Sequence, residues 1–128
     1  MKNEIFIIDD DPIYRLIVTK MIDNIDSSLI INHCENGEIG LDKLKNLKNS
    51  NHNIIVFLDI NMPILDGWSF LEEIERSNFY NPNRLTIYIV SSSTDERDLL
   101  KSKNYQYLNG FYHKPLTIAN IKTIIGIT

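Results

Sequence analysis

The sequence predicts an α/β protein in which five parallel strands form one sheet with helices on both faces. Short runs of Ile, Val, Phe and Tyr, apolar at successive positions, are typical of strands buried on both faces of a parallel sheet. Longer segments with apolar residues at helical spacing separate them, and this alternation implies parallel pairing through right-handed crossovers. The pattern suits the strand order 2-1-3-4-5, with the topological switch point between the first and third strands.

The first strand is predicted over residues 4–8, and the helix after it begins with Asp11 as N-cap and Pro12 at its first position. The apolar positions of this helix predict a broad buried stripe: Ile13, Leu16, Ile17, Val18, Met21, Ile22 and Ile25. The second strand is predicted over residues 29–34. A polar helix over residues 37–48 follows, and residues 49–53 have the composition of a loop.

The third strand is predicted over residues 54–58. Asp66 then caps a helix with these apolar or aromatic positions: Trp68, Phe70, Leu71 and Ile74. Residues 78–83 form a second polar connection. The fourth strand is predicted over residues 85–90.

A capping box of Ser93 and Glu96 predicts the start of a short polar helix that ends near Lys103. The fifth strand is brief, over residues 110–113. Thr117 is then predicted to cap a final helix, on which three residues share a face: Ile118, Ile121 and Ile125.

Length and composition restrict the class of protein. A chain of 128 residues with 43% apolar and 23% charged residues is expected to be one globular domain, over residues 1–128. The net charge of −4 argues against a nucleic-acid surface. No signal pattern and no membrane-spanning run is found, so no membrane partner is expected. Cys34 is the one cysteine, which predicts a buried thiol in a reducing compartment and hence a cytoplasmic protein.

Polar residues stand where the predicted strands end. Asp9 and Asp10 follow the first strand, Asp59 the third, Ser91 the fourth and Lys114 the fifth. Ligand sites in such sheets form beyond the carboxyl ends of the strands, so these side chains should meet at one edge. Three carboxylates there would repel one another, and a hard cation, best Mg²⁺, relieves that conflict. The hydroxyl and the ammonium suit the oxygens of a phosphoryl group.

These motifs closely resemble the receiver domain of bacterial two-component response regulators. The resemblance covers residues 4 to about 125 and implies the flavodoxin-like (βα)5 fold of a stand-alone, chemotaxis-type receiver with no output domain. The matching segments are residues 7–12, residues 58–63 with Asp66 and Gly67, residues 90–92, and Lys114 with Pro115. The bond before Pro115 is expected to be trans by default, although cis would swing Lys114 back over the edge.

The resemblance also implies roles for the residues at this edge. Asp59 would accept a phosphoryl group from a phosphohistidine on a sensor histidine kinase or a histidine phosphotransfer protein. Asp10 and Asp59 would bind Mg²⁺ directly, Asn61 through its backbone carbonyl, and Asp9 mainly through water. Lys114 would pair with the Asp59 side chain or with a phosphoryl oxygen. A receiver of this kind is a phosphoacceptor that assists only its own phosphorylation and dephosphorylation, so no other enzyme activity is expected.

The same resemblance implies a switch. Ser91 would move toward the phosphoryl group, and Phe111 would turn inward and reshape the face made by the fourth helix, the fifth strand and the last helix. Many relatives carry threonine and tyrosine at these two positions. Serine keeps the hydroxyl, whereas phenylalanine has none to bond a partner. An unidentified protein target would dock on this face around Leu99, and dimerisation on phosphorylation is left open.

Two alternatives come from other classes. Residues 9–13 resemble the first motif of haloacid-dehalogenase-type phosphatases, in which a nucleophilic Asp precedes a second Asp by two residues. That family needs a further acidic motif after its lysine, and here 14 residues follow Lys114 with no acid among them. It would also leave Asp59 without a role. The other alternative is a receiver-like interaction module that is never phosphorylated.

Overall fold

A computed structural model describes residues 3–47, 52–77, 81 and 83–126. Lys48 and most of the predicted loops over residues 49–53 and 78–83 lie outside the described residues. Within the described ranges the strands are β1 (Asn3–Ile8), β2 (Ile30–Cys34), β3 (Asn53–Leu58), β4 (Leu85–Ser91) and β5 (Leu108–His113). The helices there are α1 (Pro12–Ile25), α2 (Gly37–Asn46), α3 (Gly67–Ser77), α4 (Glu96–Ser102) and α5 (Ile118–Ile125).

The predicted topology is confirmed: the strands are all parallel and lie in the order β2-β1-β3-β4-β5. In this register Ile8 lies opposite both Cys34 and Leu58. The backbone pairing continues one residue further, since Asp9 N donates to Cys34 O at 3.0 Å and Asp59 N donates to Ile8 O at 2.9 Å. The two carboxylates therefore leave neighbouring strands at the same level of the sheet.

Successive residues of β1 and β3 point to opposite faces, and each face has its own apolar core. One core combines Phe6, Ile8, Val56 and Leu58 with residues of α2 and α3. The other combines Ile5, Ile7, Ile55 and Phe57 with residues of α1 and α5. The helices thus cover both faces, which explains why the strand sequences are apolar without alternation. Cys34 is buried in the first core, as its apolar surroundings predicted.

The prediction of a broad buried stripe on α1 is wrong. Ile13, Leu16 and Ile17 are 68%, 52% and 51% exposed, and Val18 and Ile22 are the residues of α1 that are fully buried. At about 100° per residue, positions 13 and 16 lie on the far side of the helix from Val18, and position 17 lies on its flank. A helix packed on one sheet face cannot bury seven apolar positions spread so widely, so part of the pattern faces outward.

This difference predicts unequal effects of two similar truncations on α1. Ile22→Ala is expected to lower the free energy of unfolding by about 2–4 kcal/mol, because it leaves a cavity against the sheet. Leu16→Ala is expected to change it by less than about 0.5 kcal/mol, because the side chain is half in solvent and alanine favours the helix. Urea denaturation of both variants measures the contrast. Equal destabilisation would show that the outer face of α1 is buried in solution.

The predicted capping box at the start of α4 is also wrong. Asp95 is the N-cap, and its Oδ1 accepts from Arg97 N at 2.9 Å. Ser93 Oγ instead accepts from Asp95 N at 3.2 Å and donates to Asp98 Oδ2 at 2.6 Å. Aspartate and serine are equally good caps, so a segment rich in both leaves the first residue of a helix ambiguous.

The remaining elements follow the predictions with small shifts of their ends. Asp66 Oδ1 accepts from Ser69 N at 2.8 Å at the start of α3, and Thr117 caps α5 in a reciprocal capping box with Asn120. β5 begins two residues before the predicted position, at Leu108. None of the helices in the described part of the chain combines the length and apolar character that a membrane crossing requires.

Candidate functional site

The residues predicted from the strand ends come together at the carboxyl edge of the sheet. Asp9, Asp59 and Ser91 are buried, whereas Asp10 is exposed. One carboxylate oxygen from each of Asp9, Asp10 and Asp59 lies within 4.8 Å of the others. This cluster is therefore open to solvent on the side of Asp10, where a cation or a phosphoryl donor can approach.

Lys114 reaches the same cluster from the end of β5. Its Nζ lies 2.8 Å from Asp9 Oδ2 and 3.8 Å from Asp59 Oδ2, so its closer partner is Asp9. The Lys114–Pro115 peptide bond is cis rather than the default trans. Lys114 N donates to Ser91 O at 2.9 Å, which ties this loop to the end of β4.

A backbone N–H in the β1–α1 connection and a side chain of α1 hold Asp9 in place. Asp11 N donates to Asp9 Oδ1 at 2.9 Å, and Arg15 Nη1 donates to Asp9 O at 2.5 Å. Asp11 itself faces away from this contact, since its Oδ1 accepts from Ile13 N at 2.9 Å and from Tyr14 N at 3.3 Å. Asp11 therefore serves as the helix cap, as predicted.

The pKa of Asp59 reflects the excess of negative charge at this edge of the sheet. Burial, and then the nearby Asp9 carboxylate, raise the pKa of Asp59 to about 6, although Lys114 acts in the opposite direction. One ammonium is thus insufficient to balance the carboxylates around it. Hard oxygen ligands within 4.8 Å of one another and an excess of negative charge fit a divalent cation such as Mg²⁺. Asn61, two residues further, is exposed in the β3–α3 loop, and its ligand role stays a prediction.

The raised pKa of Asp59 predicts a pH-dependent stability in metal-free buffer. The folded protein binds the proton of the Asp59 carboxyl group more tightly than the unfolded chain does. The contribution of this proton to the free energy of unfolding is therefore fully present below pH 3.8 and is lost as the pH rises past about 6. Asp59→Asn carries no charge and should therefore be more stable than the parent at pH 7, by about 3 kcal/mol, with no difference below pH about 4. Urea titrations in the presence of EDTA measure this. Equal midpoints at pH 7 would contradict it.

Ser91 is buried at the end of β4, and its own loop holds the hydroxyl: Ser93 N donates to Ser91 Oγ at 3.0 Å. Because Ser93 also bonds Asp98, this hydroxyl is connected to α4 through a short chain of hydrogen bonds. Phe111 is half-buried and contacts the His113 ring edge-on, with 5.6 Å between centroids. Beside it lies a groove of about 260 Å³ lined by residues that include Leu99, Ser102, Lys103 and Leu108.

Sequence reasoning missed three residues that act on this site: Tyr14, Arg15 and Ser93. Lys114 Nζ lies over the Tyr14 ring, and Arg15 bonds the Asp9 carbonyl. Tyr14 and Arg15 are three and four residues after the N-cap Asp11, which places them in the first turn of α1. Their position in the sequence, shortly after the end of β1, could have identified them as neighbours of the site.

The sequence of this chain is similar to a known family and to parts of longer proteins. A sequence-family model for the response regulator receiver domain matches residues 5–126. The osmosensing histidine protein kinase SLN1 of Saccharomyces cerevisiae is 28% identical over 97% of this chain and 10% of its own length. A protein-glutamate methylesterase/protein-glutamine glutaminase of Halalkalibacterium halodurans is 32% identical over 73% of this chain and 24% of its own length. The chain thus spans a quarter or less of these two relatives.

Solved structures show the same fold. A two-component response regulator from Cytophaga hutchinsonii superposes with a TM-score of 0.86 at 25% identity, covering 98% of this chain and 96% of that one. The Vibrio cholerae chemotaxis protein CheY4 superposes with a TM-score of 0.77 at 18% identity, covering all of both chains. The second likeness concerns the fold alone.

Proposed function

This chain belongs to the response regulator receiver domain family of two-component signalling, and from that premise we propose that Asp59 accepts a phosphoryl group from a phosphohistidine. The donor would be a sensor histidine kinase or a histidine phosphotransfer protein. The observation that carries the proposal is the buried Asp59 carboxylate, which lies in one cluster with Asp9 and Asp10 and has the Lys114 ammonium 3.8 Å away. Phosphoryl transfer needs a nucleophile next to oxygen ligands for a metal ion and a positively charged side chain, and Asp59 has both beside it.

In the proposed step an Asp59 oxygen attacks phosphorus while the phosphorus–nitrogen bond to the donor imidazole breaks. The imidazole nitrogen leaves and is protonated, and the product is an acyl phosphate at Asp59. Lys114 would shift from Asp9 toward the new phosphoryl oxygens on Asp59, whose Oδ2 already lies 3.8 Å from Nζ.

Receiver domains generally bind Mg²⁺ at an acidic pocket, and the donor set here fits that ion. Asp10, Asp59 and the Asn61 carbonyl would hold it, with Asp9 acting through water. Bound there, Mg²⁺ supplies neutralisation of the charge on the phosphoryl oxygens.

The output of the switch would be read at the face of α4, β5 and α5. Ser91 Oγ would move to donate its O–H to a phosphoryl oxygen. That movement would lengthen the hydrogen bond that Oγ accepts from Ser93 N and so disturb the Ser93–Asp98 contact with α4. Phe111 would turn inward and change the groove beside the exposed Leu99. A protein target would dock on this face.

Incubation with Mg²⁺ and acetyl phosphate tests the proposal. The expected result is a mass increase of one phosphoryl group, mapped by peptide analysis to the segment that contains Asp59. Beryllofluoride with Mg²⁺ should change the fluorescence of Trp68, which lies on α3. Turnover of small phosphate esters that depends on Asp9 and not on Asp59 would favour the phosphatase alternative. Mg²⁺ binding without any modification would favour an interaction module.

A further inference from the structure

A third group besides the two carboxylates contacts the Lys114 ammonium. Its Nζ lies 4.4 Å from the centroid of the Tyr14 ring, in addition to its distances of 2.8 Å to Asp9 Oδ2 and 3.8 Å to Asp59 Oδ2. The side chain of Lys114 is 20% exposed, so most of it is buried at this site. Tyr14 in turn packs against the core on the α1 and α5 side of the sheet, which limits the movement of its ring.

We propose that Tyr14 is a positioning residue for phosphoryl transfer, whose ring face holds the Lys114 ammonium between Asp9 and Asp59. The aromatic face attracts a cation without offering it a lone pair, so the N–H donors of Lys114 stay available to oxygen acceptors. The strength of this attraction also changes little when the ammonium moves a short distance across the face of the ring. Lys114 can therefore move from Asp9 toward the phosphoryl group while it remains over the ring. This inference rests on the proposed function, because the movement matters only if Asp59 is phosphorylated.

The hydroxyl of Tyr14 does not account for this role. It is buried and has no hydrogen-bond partner among the described residues. Burial, followed by the charges of Asp9 and Asp59, raises the pKa of Tyr14, so the phenol is neutral at physiological pH. The Leu116 backbone N–H lowers this pKa in part, but its geometry falls short of a hydrogen bond. The ring, and not the hydroxyl, is therefore the group that acts on Lys114.

The contact can be measured in the resting protein, before any phosphorylation. A ring face at this distance should move the NMR signals of the Lys114 side-chain methylene protons nearest Nζ upfield. Tyr14→Leu, which keeps an apolar side chain without a ring, is expected to abolish that shift. Tyr14→Phe is the conservative variant and is expected to restore it.

The functional readout is the affinity for beryllofluoride with Mg²⁺, followed by the fluorescence of Trp68. This tryptophan contacts Tyr105 and Lys101 and packs with the other core, so substitutions at Tyr14 leave the reporter intact. Tyr14→Leu is expected to weaken the affinity about threefold to tenfold, in the range of a partly desolvated cation–π contact. Tyr14→Phe should bring the affinity back to near that of the parent. Tyr14→Met takes the place of Tyr14→Leu if the latter does not fold.

A double-mutant cycle separates positioning from packing. In a Lys114→Met background, the loss caused by Tyr14→Leu should disappear, because the cation that the ring holds is gone. A loss of the same size in that background would overturn the inference and assign Tyr14 to packing, as would Tyr14→Phe behaving like Tyr14→Leu. If the parent binds no beryllofluoride, the proposed function fails, while the NMR shift still decides whether Tyr14 holds Lys114.

Discussion

Asp59→Asn is expected to abolish phosphorylation by acetyl phosphate and Mg²⁺. The amide has nearly the shape of the carboxylate but lacks its nucleophilic oxygen and its charge, so neither the acyl phosphate nor the metal site can form normally. Intact-mass measurement after incubation should show one added phosphoryl group on the parent and none on the variant. The Trp68 response to beryllofluoride should be lost in parallel. A variant that gains the group as fast as the parent would remove Asp59 from the proposed role.

Asp66→Asn is the matched control for this experiment. Asp66 lies a few residues after Asp59, and its replacement by asparagine also removes one carboxylate charge. Its carboxylate, however, caps α3 through Ser69 N and is not part of the acidic cluster. Asparagine is as good an N-cap as aspartate, so this variant should fold and be phosphorylated like the parent. Loss of phosphorylation in both variants would indicate a general effect of charge rather than a specific acceptor.

Gly67→Ala is expected to lower the free energy of unfolding by about 2–3 kcal/mol and to weaken beryllofluoride binding. A Cβ at this position would lie 2.5 Å from the Asp59 carbonyl oxygen and 2.9 Å from the Ile60 Cα. Both are backbone atoms of the segment that carries the acceptor, and Gly67 N also donates to Ile60 O at 2.8 Å. The chain must therefore shift where Asp59 is held. Urea denaturation and the Trp68 titration measure the two effects.

Gly126→Ala provides a control with a different outcome. Gly126 ends α5 with a φ of 81°, and an added Cβ would meet nothing within 4 Å. The substitution should lower stability by about 1 kcal/mol through the left-handed backbone alone. It should leave beryllofluoride binding unchanged. If Gly67→Ala bound beryllofluoride as well as Gly126→Ala does, the close approach of α3 to Asp59 would have no bearing on the site.

The parts of the molecule that were predictable depend on short stretches of chain. Each apolar run indicates a strand that is buried on both faces. The residue that follows the run must then lie at the carboxyl edge of the sheet. This is why the sequence alone predicts that Asp9, Asp10 and Asp59 lie together at one edge, along with Ser91 and Lys114. The caps at Asp11 and Thr117 are equally local, since each concerns a side chain and an N–H two or three residues away.

Other features required knowledge of how distant segments pack. The sequence of α1 contains more apolar positions than one sheet face can cover, so only the packed helix shows that Ile13, Leu16 and Ile17 face outward. The pairing of Lys114 with Asp9, which lies nearer to its Nζ than Asp59 does, and its contact with Tyr14 join the end of β5 to residues about 100 positions earlier. Periodicity and capping rules describe neighbours along the chain. They carry no information on which of two adjacent carboxylates, or which ring, a lysine from another strand will reach.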